Sequence, residues 1–370
     1  MRGAFLTSTF VSLLMCGTAL AQTISPQTSQ SVPQEGPRNP ADATKDPARN
    51  VAEDVILGGT FSIQIENDTI NNTDRHYTNG FRVGWVSDRS DKGPDWLRST
   101  LEFLYPFAPM KGSRIGFAFG QTIFTPNDIK TSALIPDDRP YAGWLFAGAS
   151  LHGEALDQPS FIPNTPLDTI DTVELTLGIV GPHAYGEQVQ NNFHDLIGVG
   201  RAHGWDNQLK DEPTVNLMVE RRWRPAPARF LGLEADAVPS VGAAVGNVFI
   251  FGAAGAILRL GQRLDIDYGP AHIQPALSGP ALMAAHQGLS WYFFAGTQGR
   301  AIGRNMFLDG NTFRDSQSVN SKPFVADFQA GLAIAFGSAR LSFAQIWRTK
   351  EFEGQDGHDE FGAVNLSWHF

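Results

Sequence analysis

The chain has 370 residues, a formal net charge of −10 at pH 7, 26 phenylalanines, 38 glycines and a single cysteine. An acidic chain is not expected to bind nucleic acid, and an anionic lipid would have to be held by local basic groups or by a metal ion. The abundance of aromatic residues and glycine is typical of a transmembrane barrel, in which lipid-facing and lumen-facing positions alternate.

The N-terminal residues predict a signal peptide over 1–21, because Arg2 precedes an apolar run at about 10–20 that ends in the small-residue site Ala19-Leu20-Ala21. The only cysteine, Cys16, lies inside this segment. The mature chain would therefore have no thiol, which excludes disulfides and thiol catalysis. No later run of about 18 apolar residues predicts a membrane-spanning helix.

Residues 22–57 are rich in proline, glutamine, serine and threonine and predict a disordered polar leader. From residue 58 onward, apolar and polar residues alternate, as in Phe61, Ile63 and Ile65 against Gln64, which predicts strands that are wet on one side. The predicted strands lie near 58–68, 78–85, 115–119, 144–152, 172–179, 215–222, 230–246, 248–263, 287–301, 323–337, 339–349 and 359–370.

An even set of strands predicts an all-β fold, a twelve-stranded antiparallel transmembrane β-barrel over 58–370 with a short helix in an outer loop. The last strand ends on an aromatic residue, Phe370, as in bacterial outer-membrane barrels. If the chain starts on the periplasmic side, the long connections at 69–77, 124–141 and 182–211 open on the cell surface. A long connection at 264–286 falls on the side where short turns are expected. A soluble exported β-sandwich or lipocalin-like barrel is the alternative fold.

The connection at 181–208 contains a predicted amphipathic helix over 185–198. Its apolar residues fall on one side, whereas Gln190, Asn191 and His194 gather on a neighbouring side through spacings of three and four. The alternative interpretation is a loop helix that carries a surface histidine.

Further candidate site residues lie at the ends of the first two strands. Asn67 and Asp68 end the first strand and Thr78 begins the second, and Asp68 and Thr78 have the parity of lumen-facing residues. With His194, a carboxylate, a hydroxyl, an amide and an imidazole would meet at the outer mouth of the barrel. The alternatives are turn chemistry for Asn67 and Asp68 and a β-branched strand residue for Thr78.

These groups suit ester hydrolysis by water. Histidine is a base near neutrality, so His194 would activate the water. A Ca²⁺ ion held by Asp68 and an amide such as Asn67 would stabilise the oxyanion. The chain has neither a G-x-S-x-G elbow nor an H-E-x-x-H zinc motif, which favours direct attack by water over an acyl-enzyme.

Six motifs occur in order: END at 66–68, HYTNG at 76–80, GQTIFTPND at 120–128, DRPYAGWL at 138–145, GPHAYGEQVQNNFH at 181–194 and GWDNQ at 204–208. In combination they resemble the outer-membrane lipid A 3'-O-deacylases of Gram-negative bacteria, the LpxR-like barrels. The resemblance implies a twelve-stranded barrel whose active site lies between the barrel wall and the outer-loop helix and removes the 3' acyl chains of lipid A with help from Ca²⁺.

The resemblance also implies residue roles. The family's histidine falls on His194, its Asn-Asp pair on Asn67 and Asp68, and its threonine on Thr78. Two substrate-binding residues are expected, namely Lys130, which matches a lysine of the second outer loop, and Gln190. An acidic residue that some members carry after the histidine is replaced here by Gly198-Val199-Gly200.

The leading hypothesis is therefore a monomeric outer-membrane hydrolase that acts on lipopolysaccharide from within the outer leaflet, with its active site facing the cell surface. A catalytically silent barrel that binds envelope lipids is a second hypothesis. A third is an outer-membrane phospholipase with the same chemistry.

Overall fold

The computed structural model describes residues 59–68, 76–88, 94–105, 113–158, 167–270 and 288–370. The predicted signal peptide (1–21) and polar leader (22–57) lie outside the described residues. Among the helices of the described segments, none is long and apolar enough to cross a membrane.

Within the described residues, thirteen strands form one antiparallel sheet. The strands are β1 Gly59–Asn67, β2 His76–Ser87, β3 Arg114–Thr125, β4 Ala142–Gln158, β5 Leu167–Val180, β6 Glu212–Pro225, β7 Ala228–Phe230, β8 Leu233–Gly246, β9 Phe249–Gln262, β10 Leu289–Asn305, β11 Phe324–Phe336, β12 Ala339–Arg348 and β13 Asp359–His369. The three-residue β7 pairs only with β8, and the pairing of β6 with β8 closes the other twelve strands into a barrel. The predicted fold and all twelve predicted strands are confirmed.

Three α-helices lie in the connections of the described segments: α1 Asp95–Leu104, α2 Gly186–Ile197 and α3 Met306–Asp309. The predicted helix at 185–198 is confirmed as α2. It ends where Gly198 adopts a positive φ of 73° and donates its backbone N–H to the carbonyl of His194. We call the end of the barrel that carries α2 the loop end, and the end that carries the start of β1 and the finish of β13 the terminal end.

The outer wall of the barrel is apolar and the lumen is polar and aromatic. Strict alternation along β9 shows the pattern, since Phe249 and Phe251 are buried whereas Ile250 is exposed. Large apolar side chains at least 40% exposed on the wall include Phe61, Ile65, Phe117, Phe119, Leu177, Val215, Leu258, Phe293, Phe328, Phe343, Leu366 and Trp368. An exposed apolar band of this extent fits a lipid environment.

Aromatic side chains fill the lumen near the loop end. Phe124 of β3 stacks on Phe307 of α3 with ring centroids 4.1 Å apart, and Trp144 donates its indole N–H to Thr214 Oγ1 at 3.0 Å. The helix α3 therefore packs onto an aromatic cluster inside the barrel.

The first residues of the long connection after β9, at 263–270, fold into the lumen from the terminal end. Asp267 is buried and contacts Arg259 Nη1 at 2.7 Å and Arg340 Nε at 3.0 Å. Arg224 donates to the main-chain carbonyls of Asp265 and Asp267. A buried guanidinium needs a counterion, so this part of the predicted 264–286 connection neutralises arginines that the strands point inward. Residues 271–287 lie outside the described residues.

Candidate active site on the outer wall of the barrel

Asn67 and Asp68 meet Thr78 where β1 and β2 approach the loop end. The side-chain amide of Asn67 donates to the carbonyl oxygen of Thr78 at 3.2 Å, and the backbone N–H of Asp68 donates to the same oxygen at 3.4 Å. Asp68 and Thr78 are both buried. The structure thus brings together three of the residues that the sequence singled out.

A β-bulge decides which way Thr78 points. Tyr77 pairs with Phe124 and Asn79 pairs with Ile123, so Thr78 is an extra residue between two paired ones. Its hydroxyl shares a hydrogen bond of 2.7 Å with the hydroxyl of Thr125. Thr125 follows the lumen-facing Phe124 and so lies on the outer wall. The prediction that Thr78 faces the lumen was wrong, because the bulge adds one residue and reverses the alternation.

The connection at 181–211 folds back onto the outer wall rather than across the lumen. Gln121 of β3 donates its side-chain N–H to the carbonyl of Ala184 at 2.6 Å. An apolar cluster joins the wall to the connections at 126–141 and 181–211. It consists of Ile123, Ile129, Tyr141, Ala202 and Trp205. The helix α2 therefore packs against β3 and β4, beside the strands that carry Asn67 and Thr78.

Glycines allow this close packing. A Cβ atom on Gly186 would lie 2.6 Å from Trp205 Cη2 and 3.1 Å from Gly143 Cα, and a Cβ on Gly143 would lie 3.0 Å from the Gly186 nitrogen. The start of α2 and the backbone of β4 are thus in direct contact, which explains two of the glycines in the DRPYAGWL and GPHAYGEQ motifs.

His194 lies on α2 and is 4% exposed. Its Nδ1 is 2.8 Å from the carbonyl oxygen of Gly200. A carbonyl only accepts, so Nδ1 must carry the proton and Nε2 carries the lone pair of the neutral imidazole. This is the tautomer that lets Nε2 act as a base.

The turn that accepts this hydrogen bond is itself clamped to α2. Arg201 contacts Asp195 through two nitrogens, with 3.0 Å between Arg201 Nε and Asp195 Oδ1. The hydrogen bond from Arg201 lowers the pKa of the Asp195 carboxyl below its usual value. Asn191 adds a second clamp, because its side chain bonds both the N–H and the carbonyl of Ala202.

Gln190 and Lys130 have different surroundings. Gln190 is buried, and its Oε1 accepts the indole N–H of Trp205 at 2.9 Å, so it holds the loop in addition to the substrate role expected for it. Lys130 is exposed and follows Ile129, whose carbonyl accepts the backbone N–H of His203. The structure therefore places Lys130 at the rim of the loops that flank α2.

Two other histidines near the loop end, His76 and His183, are engaged by carboxylates. His76 Nδ1 is 2.5 Å from Asp359 Oδ1, and His183 Nδ1 is 2.6 Å from Asp211 Oδ2. In both histidines Nδ1 contacts a carboxylate, whereas in His194 the same nitrogen contacts a main-chain carbonyl.

The oxygen donors of Asn67 and Asp68 fit Ca²⁺ in kind, because it is a hard cation that prefers carboxylate and amide oxygens. Across the described ranges, no cluster of three or more histidine, cysteine, aspartate or glutamate side chains is suited to a metal ion. An ion held there would need main-chain carbonyls, water or substrate oxygens to complete its coordination.

Thr125, Trp205 and the pair Gly143 and Gly186 form part of the site without having been assigned a role from sequence. Each lies in one of the six motifs, so the signal was present in GQTIFTPND, GWDNQ and the two glycine-containing motifs. The sequence alone does not show which of these motifs come into contact in the folded protein.

A closed twelve-stranded antiparallel barrel with an apolar outer wall defines an outer-membrane β-barrel protein. A comparison with protein families matches residues 40–370 to the family described as "Outer membrane protein LpxR". The chain belongs to this family.

Two solved structures illustrate the likeness. LpxR from Salmonella typhimurium has a TM-score of 0.66 and 20% sequence identity, with 84% of this chain and 100% of that chain covered. The β domain of the Bordetella autotransporter BrkA has a TM-score of 0.37 and 12% identity, covering 85% and 98% of the two chains. The comparison with curated proteins gives no match.

Proposed function

We propose that the protein is an esterase that removes the ester-linked acyl chains at the 3' position of lipid A. The observation that carries the proposal is the position of α2, the helix that carries His194, which packs beside β3 and β4 on the lipid-facing side of the wall. A substrate whose acyl chains lie in the membrane reaches such a crevice laterally. Membership of the LpxR family supports the same assignment.

In the proposed reaction, His194 Nε2 takes a proton from water as the water oxygen attacks the carbonyl carbon of the ester. The imidazolium that forms is stabilised by its Nδ1–H, which donates to the carbonyl of Gly200. When the tetrahedral intermediate collapses, the C–O bond to the sugar breaks and the same proton passes from Nε2 to the leaving 3' oxygen. The products are a free fatty acid and a 3'-hydroxyl.

We infer that Asn67, Asp68 and Thr78 complete the site with His194, because β1 and β2 lie next to β3, beside which α2 packs. The Thr78 hydroxyl, oriented by Thr125, would donate to the ester oxygen. The Asp68 carboxylate and the Asn67 amide oxygen would hold Ca²⁺, which when bound supplies positive charge for the developing oxyanion. With a single carboxylate, such a site is expected to bind calcium weakly, with a Kd of about 10⁻⁴–10⁻³ M.

The loop end then faces the cell surface, where lipid A lies, and the protein acts as a monomer. The same chemistry would serve an outer-membrane phospholipase, which differs only in its substrate. A silent lipid-binding barrel is disfavoured by the Nδ1–H tautomer of His194, because that arrangement presents a base.

The proposal is tested by analysing the lipid A of a Gram-negative host that has no such deacylase and that expresses this protein. Expression of the full chain should produce lipid A that has lost its 3' acyl chains by mass spectrometry, whereas His194→Ala should leave the lipid A unchanged. Unchanged lipid A with correctly inserted wild-type protein would refute the proposal.

A further inference from the structure

The helix α1 lies on the outer wall near the terminal end, in a stretch that the candidate site does not use. Leu97 and Leu101 are buried against Ile115, Leu151 and Val173. These three wall residues belong to the lipid-facing set, as alternation along β5 shows for Val173 and the exposed Leu177. The helix therefore sits where lipid would otherwise touch the barrel.

A second apolar edge of α1 has no protein covering it among the described residues. Trp96 is 71% exposed and Phe103 is 87% exposed. Their spacing of seven places them on one side of the helix, about 120° from the edge that contacts the barrel. Asp95, Arg98 and Glu102 occupy the remaining side. The helix thus has three edges: one packed on the barrel, one exposed and apolar, and one that carries the charged residues.

A charged pair on the wall marks the level at which this helix lies. Asp171 and Arg221 have the same parity as the lipid-facing Val173, and Arg221 Nε is 2.6 Å from Asp171 Oδ1. Tyr105, directly after α1, lies beside Arg221. Lipid-facing charges cost about 2–4 kcal/mol at the middle of a bilayer and about 0–1 kcal/mol near its interface. The pair therefore places α1 at an interface.

We propose that α1 is a membrane-interface anchor whose Trp96–Phe103 edge inserts into the headgroup region of the leaflet at the terminal end, and that it thereby sets the depth of the wall formed by β3, β4 and β5. Tryptophan favours this region because its ring is amphipathic. The occupant is a phospholipid surface, since the exposed edge is continuous with the lipid-facing wall.

The same wall carries α2 at the opposite end, so the two helices bracket the hydrocarbon layer. Gly143, which contacts α2, and Leu151, which contacts α1, are eight residues apart on β4. This is about 26 Å along the strand and about 20 Å along the barrel axis at a tilt of ~40°. The apolar band of outer-membrane barrels is about 25 Å tall. A helix fixed in one interface therefore sets α2 close to the other, a consequence that rests on the proposed function.

The anchor is tested with nitroxide labels on the mature chain in vesicles of phosphatidylcholine and phosphatidylglycerol. Phe103→Cys and the adjacent Glu102→Cys are matched labels on different edges of α1. The label at 103 should collide several-fold more with oxygen than with a water-soluble nickel complex, and the label at 102 should show the reverse. Equal ratios at the two positions would overturn the anchor.

The effect on depth is read with a label at Phe119→Cys, on the wall. Replacing the exposed edge with Trp96→Ser and Phe103→Ser should change the depth of this label, whereas Asp95→Ser with Glu102→Ser should not. An unchanged depth would overturn the depth-setting role even if the anchor stands. These label measurements do not depend on catalysis. If the wild-type protein had no hydrolytic activity, the proposed function would be refuted, whereas the anchor would still be tested by the labels.

Discussion

Replacing Gly186 by alanine should slow hydrolysis without unfolding the barrel. The added Cβ would lie 2.6 Å from Trp205 Cη2 and 3.1 Å from Gly143 Cα. Non-bonded carbons prefer about 3.5–4.0 Å, so α2 must move away from the wall by about 1 Å. The indole has little room to yield, because its N–H is bonded to Gln190 and its ring packs on Tyr141 with centroids 5.0 Å apart.

A displacement of about 1 Å at a catalytic group costs about 10²-fold in rate. We therefore expect Gly186→Ala to lower the initial rate of lipid A deacylation by about that factor, with the gel migration of the unboiled protein unchanged. Gly252→Ala is the control, because a Cβ there meets no atom within 4 Å and the residue lies on β9, outside the candidate site. Equal rates for the two variants would refute the claim that contact between α2 and the wall positions His194.

The remaining predictions concern the site residues and the fold. His194→Ala should reduce hydrolysis by about 10²–10⁴-fold while the protein still inserts, and His203→Ala should keep nearly the wild-type rate; the opposite result would assign the base to another ring. A calcium chelator and Asp68→Ala should each abolish turnover, and activity that survives both would exclude a metal at Asp68. Trp205→Phe should remove the hydrogen bond from the indole to Gln190, at a cost of about 0.5–1.5 kcal/mol, and make the 181–211 loop more sensitive to protease; unchanged cleavage would contradict this. The mature protein should fractionate with the outer membrane and migrate differently on gels when unboiled, whereas recovery as a soluble monomer without detergent would contradict the barrel in its predicted setting.

The strands and α2 were predictable because their signals are local. Alternation with a period of two is present in most strands, and spacings of three and four relate Asn191 and Gln190 to His194 in α2. The helix α1 was not predicted, although Leu97 and Leu101, four apart, and Trp96 and Phe103, seven apart, have helical spacing. A helix of ten residues is stabilised mainly by packing, here against the barrel wall, and that contact is not visible in the sequence.

The features that the sequence did not reveal depend on contacts between distant residues. The bulge at Thr78 becomes visible only once Tyr77 and Asn79 are paired with β3. The contact of Gly143 with Gly186 joins two motifs that are far apart in the chain. Likewise, nothing in the sequence around Asp267 shows that it neutralises Arg259 and Arg340 in the lumen. One register shift and two tertiary contacts therefore account for most of what was missed.

The substrate assignment is tested most directly with the purified mature protein in mixed micelles that contain lipid A and a glycerophospholipid together, with calcium present. Tandem mass spectrometry identifies each product and the position from which the acyl chain was lost. We expect lipid A that lacks its 3' acyl chains, intact glycerophospholipid, and a rate of product formation that is about 10²–10⁴-fold lower with His194→Ala. Release of fatty acid from the glycerophospholipid while lipid A stays intact would contradict the account and identify a phospholipase.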